Sequence, residues 1–347
     1  MTSGGKPRCP EPEERARPEL KSPRIGVTLG DPGGIGPEVV LKSFQNRTAL
    51  PPARYVLFGS VPVLEKAVRE TGVRPFWNVD GTESSKAGGA ADIRLLECGA
   101  PEDAAVGGGP SAGSGRASFR YFEEAVAAAR RGELEAVVTA PVSKTSWSLA
   151  GIPWRGHTDY LEALYPGAAM AFWSDRLVVA LLSHHRPLAE AVRAVTRANI
   201  SRLLGLLLER LDRGAPGRYE YLVAGLNPHA GEGGLLGGEE EREIVPAIEE
   251  ARRSGMRIRG PLPPDTAFRE ALDRPGRVVV ALYHDQGLIP FKLAAFETGV
   301  NVTLGLPFVR TSPAHGTAFD IAGKSAADPR SLGQAVRLAA GLATGVF

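Results

Sequence analysis

Residues 278–287 read Val278-Val279-Val280-Ala281-Leu282-Tyr283-His284-Asp285-Gln286-Gly287, an unbroken apolar run followed by a burst of polar groups and a glycine. An apolar run this short is a strand buried on both faces, as parallel sheets produce. Its carboxyl end is where an open α/β sheet gathers ligands. The stretch continues through Lys292, Asn301 and Arg310 and closes on His315-Gly316-Thr317-Ala318-Phe319-Asp320-Ile321-Ala322-Gly323-Lys324. So many polar groups among core-forming residues predict a site.

Moving outward, the same arrangement recurs. A strand at 136–139 delivers Ala140-Pro141-Val142-Ser143-Lys144, one at 177–182 ends at Ser183-His184-His185-Arg186, and one at 221–226 ends in Asn227-Pro228-His229. All six histidines (157, 184, 185, 229, 284 and 315) lie in or beside such loops. Near the start, a strand at 24–29 runs into Gly30-Asp31-Pro32-Gly33-Gly34-Ile35-Gly36-Pro37-Glu38 and then a helix, with Pro37 suited to the first turn. Its spacing matches neither a Walker loop nor GxGxxG, so it reads as a tight turn or as an anion cradle. Further helices are expected at 61–70, 118–131, 197–211, 239–253 and 331–342, a strand at 55–58, surface loops at 84–91 and 107–115, and a Pro-rich turn at 261–266 around Asp265. This alternation predicts a mainly parallel α/β architecture.

Composition narrows the function classes. With 347 residues, 43% of them hydrophobic, the chain is long enough for two domains or one large one. Forty-one basic against 39 acidic residues leave a net charge of +2, which argues against a nucleic-acid binder. Cys9 and Cys98 provide no disulfide framework, so a cytoplasmic setting is expected. No apolar run approaches the roughly 20 residues of a membrane span. Residues 1–22, rich in Pro, Glu, Arg and Lys, read as a disordered tail.

His185, His229 and His284 occupy equivalent positions after three strands, and three imidazoles with an open position suit a catalytic divalent metal. Arg310, Lys292 and Asn301 offer a fork, a point charge and an amide donor for a phosphate or carboxylate; ordinary surface ion pairs are the alternative. Asp285 and Asp265 suit orienting imidazoles, holding a substrate amine, or capping turns.

The motifs GDPGGIGPE (30–38), APVSK (140–144), GHTDYLEAL (156–164), LNPHAGE (226–232), GPLPPDT (260–266), YHDQGLIPFK (283–292) and GVNVTLGLPFVRTSPAHGTAFDIAGK (299–324) resemble the 4-hydroxythreonine-4-phosphate dehydrogenases of pyridoxal phosphate biosynthesis, from about residue 24 to 342. The last of them also resembles the cofactor loop of isopropylmalate and isocitrate dehydrogenases. The resemblance implies two α/β/α domains with an interdomain cleft, built from 23–140 plus 297–347 and from 141–296. It implies His185, His229 and His284 as metal ligands; the metal is one divalent ion (Zn, Co, Mg or Mn), and the cofactor is NAD or NADP. His157, Thr158, Lys292, Asn301 and Arg310, with Asp265, would contact a phosphorylated substrate. His315, Gly316, Thr317, Asp320 and Gly323 would lie along the dinucleotide, and Lys144 and Asp285 are the candidates for the base. A homodimer with active sites completed across the interface is implied as well.

The expected reaction is oxidation of 4-phosphohydroxy-L-threonine, with decarboxylation to 3-amino-2-oxopropyl phosphate. The alternatives are a paralogous dehydrogenase of 4-phospho-D-threonate, D-erythronate 4-phosphate or an aromatic dihydrodiol, and a non-redox phosphometabolite hydrolase or binder. Three positions depart from the family pattern: Ser143 before Lys144, Ala314 before His315, and His184 beside the expected ligand His185.

Overall fold

The structure, a computed structural model, describes residues 22–79, 92–99, 101, 104, 108–212 and 217–345. The expected tail (Ser22 apart) and the expected loop at 84–91 lie outside the described residues. One mixed sheet runs through the molecule. Its strands are β1 (Arg24–Thr28), β2 (Arg54–Gly59), β3 (Asn78–Val79), β4 (Ile93–Glu97), β5 (Ala136–Thr139) and β6 (Ala169–Trp173), then β7 (Val178–Leu181), β8 (Glu220–Ala224), β9 (Ile258–Leu262), β10 (Arg277–Ala281), β11 (Val300–Leu304) and β12 (Val309–Pro313). Their order across the sheet is β3-β4-β2-β1-β5-β12-β11-β6-β7-β10-β8-β9. The helices are α1 (Gly36–Gln45), α2 (Val61–Thr71), α3 (Ala112–Arg130), α4 (Lys144–Leu149), α5 (His157–Leu164) and α6 (Leu188–Arg193), followed by α7 (Arg197–Leu207), α8 (Val245–Arg253), α9 (Pro264–Leu272), α10 (His284–Ala295) and α11 (Arg330–Thr344).

Strand direction positions the site. The pairs from β3 to β12 are parallel, and so are those linking β7, β10, β8 and β9. Between these blocks, β12–β11, β11–β6 and β6–β7 are antiparallel. Three reversals make the two parallel blocks run in opposite directions. The carboxyl ends of β5 and β12 and those of β7 and β10 therefore reach the central strands from opposite edges. The expected mainly parallel α/β fold is present, with this antiparallel centre added.

The inner strands are apolar because both faces are covered: Val278, Val279, Val280 and Ala281 are all buried. The central strand β11 instead alternates, Val300-Asn301-Val302-Thr303-Leu304. The registers Asn301↔Phe172, Asn301↔Ser312, Thr303↔Arg310 and Thr303↔Met170 put these six side chains on one face, because directly paired residues point the same way.

Some local expectations shift. The expected loop at 107–115 gives way to α3 from Ala112 onward; a Cβ on Gly115 would meet Ser146 O at 2.1 Å, so glycine there permits helix packing, not a turn. Asp265 belongs to the first turn of α9, not to a loop. The helices expected at 197–211 and 239–253 each contain a π turn, at Leu208–Asp212 and Glu240–Ile244.

Candidate active site

A cavity of about 300 Å³ lies over the polar face of the central strands. Strand ends and first helical turns supply its wall. Ser143 caps α4, its Oγ accepting from Ser146 N at 3.1 Å, which places Lys144 at the helix start. The departure at Ser143 thus serves a local need. Lys144, His157, Thr158, His185, His284, Lys292, Asn301, Arg310, His315 and Gly316 all line the cavity. Asp159 is the one carboxylate among the described lining residues, beside the cations Lys144, Arg155, Lys292 and Arg310.

Arg310 is the deepest of these, 2% exposed. Its Nη1 donates to Thr303 Oγ1 (3.1 Å), and its Nη2 donates to Thr139 Oγ1 (2.7 Å) and to His157 Nδ1 (3.2 Å). No carboxylate among the described residues pairs with it. Burial without a counter-charge pushes its pKa down to about 10. A guanidinium only donates, so His157 Nδ1 accepts and the neutral ring carries its proton on Nε2. Burial, and then the Arg310 charge, hold His157 well below the ordinary histidine value. Four buried wall atoms have no hydrogen-bond partner among the described residues: Arg310 Nε, His157 Nε2, Asn301 Oδ1 and His315 Nε2. Buried polar atoms are normally satisfied. Their convergence on one cavity marks a polar ligand's place.

The other end is histidine-rich. His185 follows β7, His284 follows β10 and His229 follows β8, three neighbouring parallel strands. The His185 and His284 ring centroids are 5.7 Å apart. Desolvation, then the neighbouring His184 ring, lowers the His185 pKa and favours the neutral form that ligates metals. His284 Nδ1 donates to Asp285 Oδ1 at 2.7 Å, leaving the Nε2 lone pair free. His229 Nδ1 has the same relation to Glu232 Oε1 at 2.5 Å. This donor chemistry fits a divalent cation. The spacing does not complete a set: His229 is exposed and absent from the cavity wall, and no three such ligands converge among the described residues.

Asp265 and Asp285 also stand off the cavity. Asp265 raises the His229 pKa after Glu232 does, and Asp285 contacts His284 and lines an adjacent groove. His184 lies 5.4 Å from His185, ring to ring, on a neighbouring cavity.

The expected cofactor loop packs on the N-terminal glycine loop. Ile35 N donates to Thr317 O at 2.9 Å, and a Cβ on Gly34 would meet that same oxygen at 2.8 Å. Asp31 N donates to Pro141 O, Gly33 N to Asp31 Oδ1 and Gly34 N to Asp31 O. With those N–H groups engaged, residues 31–35 are a packing joint between the N-terminal loop and residues 141 and 317. Further along, Asp320 O accepts from Lys324 Nζ, and Gly323 faces Glu70.

Thr139, Thr303, Ser312 and Arg155 belong to the site but escaped the sequence reading. Thr303 carries a signal: in Val300-Asn301-Val302-Thr303-Leu304, polar residues recur at every second position.

Residues 52–339 match the family described as pyridoxal phosphate biosynthetic protein PdxA. The chain belongs to that family. A 4-hydroxythreonine-4-phosphate dehydrogenase of Desulforapulum autotrophicum is 41% identical over 332 residues, 93% of this chain and 96% of that protein. A D-threonate 4-phosphate dehydrogenase of Cupriavidus necator is 40% identical over 93% of this chain and 98% of its own. The crystal structure of the Klebsiella pneumoniae 4-hydroxythreonine-4-phosphate dehydrogenase superposes with a TM-score of 0.82 at 36% identity, covering 94% of this chain and 99% of that one.

Proposed function

We propose that this PdxA-family chain is a dehydrogenase of 4-phosphohydroxy-L-threonine, using NAD or NADP and a divalent metal ion. One observation carries the substrate class: Arg310 is buried, without a carboxylate partner among the described residues, and faces a cavity shared with Lys292 and the Nε2–H of His157. A buried cation left unpaired costs several kcal/mol, roughly, and a phosphate on the ligand offsets that cost. Neutral His157 donates to the anion without adding to the local charge.

The remaining residues divide the chemistry. A divalent ion at His185 and His284 would polarise the substrate oxygen and stabilise negative charge there. Asp285 holds the His284 ring in the ligating tautomer, so Lys144 Nζ, on the cavity wall, is the candidate to receive the hydroxyl proton. A nicotinamide cofactor held beside His315 and Gly316 would supply the acceptor for the hydride from C3. The C3 ketone is then β to the C1 carboxylate; breaking C1–C2 releases carbon dioxide, passes the bond's electron pair into an enolate over C2, C3 and the ketone oxygen, and a proton taken up at C2 restores the ketone.

The third ligand, in this reading, comes from a second copy. His229 and Asp265 lie outside their own chain's cavity, with Leu235 exposed nearby in sequence. Ile289, Leu293 (85% exposed) and Phe296 (72% exposed) form an apolar stripe along and just beyond α10. A symmetric dimer would cover such surface and bring His229 to its partner. The division into 23–140 with 297–347 and 141–296 is supported by the contiguity of each group's strands in the sheet. No helix among the described residues is long and apolar enough to cross a membrane; with Cys98 a buried free thiol, a cytoplasmic enzyme is the simplest reading.

The test is reduced-cofactor formation by metal-reconstituted protein on 4-phosphohydroxy-L-threonine, 4-phospho-D-threonate and D-erythronate 4-phosphate. Preference for the first, with carbon dioxide released, supports this function; preference for another acid moves the substrate but keeps the site. Mixing His229→Ala with His284→Ala tests the shared site. Random exchange makes half the dimers mixed, each with one intact site, so about a quarter of wild-type activity should return. No recovery on mixing would place all three ligands in one chain.

A further inference from the structure

We infer that Gln286 is a positioning residue that fixes the two strand ends presenting His284 to its own chain's metal site and His229 to the partner's, and through them the metal affinity of both sites. The inference rests on the histidine-metal reading above. The β10–β8 ladder runs from Arg277↔Glu220 to Val280↔Val223 and then stops, while β8 slips in register against β9. Beyond that point the two strand ends are bridged by a side chain. Leu282 N donates to Gln286 Oε1 at 2.7 Å, and Gln286 Nε2 donates to Gly225 O at 2.8 Å. The amide has one orientation, since its partners are a fixed donor and a fixed acceptor.

Gln286 is 8% exposed and belongs to the first turn of α10. It therefore folds back onto the chain that launches its own helix, two residues before His284, and reaches across to Gly225, three residues before Pro228 and four before His229. A peptide-sized amide standing where the ladder has ended keeps both backbone groups paired at a wider spacing. The next residue reinforces the arrangement. A Cβ on Gly287 would meet Leu181 at 2.6 Å and Val179 at 2.9 Å, so α10 lies directly on β7, the strand that leads to His185. Gln286 fixes the start of α10 laterally against β8, and Gly287 fixes it vertically against β7. Partners that orient ligands influence metal affinity by about 10- to 100-fold.

The experiment measures Co²⁺ binding to full-length metal-free protein by titration, with the visible d–d spectrum and the thermal midpoint of the metal-free form recorded alongside. Gln286→Met keeps the volume but removes both hydrogen bonds; Val336→Ala in α11 is the control for lost stability alone. Co²⁺ affinity should fall about 10- to 100-fold in Gln286→Met, with an altered spectrum, and stay at the wild-type value in Val336→Ala. Unchanged affinity and spectrum in Gln286→Met, or an equal loss in Val336→Ala, would overturn the assignment. If Gln286→Met does not fold, Gln286→Glu is measured instead: it retains the acceptor for Leu282 N, loses the donor to Gly225 O, and must show the same two changes. Wild-type protein that binds no Co²⁺ refutes the metal reading itself, which separates that failure from this one.

Discussion

The two ends of the cavity are built differently. At the anion end, Arg310, Asn301, Thr139 and Thr303 project from one face of paired strands, and their positions follow from sheet register. Arg310 is enclosed and tied to three partners. At the histidine end, His185 and His229 sit on the loops after β7 and β8 and His284 opens α10 after β10, more open to solvent. His185 and His229 adopt φ of 35° and 53°, a region costly for residues with a Cβ. The register-built end draws Thr139, Asn301, Thr303 and Arg310 from adjoining strands of one chain. A loop-built end is aimed by its braces, and one of its expected ligands stands apart. Under the proposed function, recognition would be pre-organised by register, while the chemistry would depend on loop placement.

Four substitutions sharpen this contrast. The largest effect is expected from His284→Ala: removing Lewis acidity should lower kcat by about 10³-fold, because several kcal/mol of charge stabilisation are lost, while the thermal midpoint moves little. A large fall in midpoint with activity retained would make the histidine end structural. Arg310→Met should lower kcat/KM for the phosphorylated substrate by roughly 10- to 100-fold, mainly through KM, since one charged hydrogen-bonding group is lost. The ligand-free variant should be as stable as wild type or more so, because a buried unpaired charge disappears. A marked drop in its denaturation midpoint would show that Arg310 supports the fold.

Gly287→Ala comes next. The added methyl must displace α10 from β7, costing about 1–3 kcal/mol of stability and disturbing His284 and Lys292 together; wild-type stability and kinetics would show the contact to be pliable. The smallest effect concerns pH. His157 has a folded-state pKa below its unfolded value near 6.5, so the unfolded chain binds the extra proton first. Its contribution to stability is present above pH ~6.5 and is lost as the pH falls toward the folded pKa. Unfolding titrations of His157→Gln should show a shallower loss than wild type in that acid range; parallel curves would mean that His157 is not held neutral.

The sequence by itself determined the α/β class, the strands whose ends carry Lys144, His185, His229 and His284, and the family. Runs such as Val278–Ala281 are legible because burial on both faces demands uninterrupted apolar residues. The cavity residues Lys144, His157, Lys292 and Arg310 were legible as chemistry, since no core or turn explains so many polar groups beside apolar segments. Only the tertiary structure decided that Thr139, Thr303 and Ser312 share a face with Arg310, because register between distant strands is not written in either strand alone. It also decided that the glycines of 30–38 meet Pro141 and Thr317, that His229 stands apart from His185 and His284, and that Gln286 spans two strand ends. The physical reason is common to all four. Local patterns specify which residues must be buried or must turn, whereas which groups meet depends on strand order and direction, here on three antiparallel pairings at the centre of an otherwise parallel sheet.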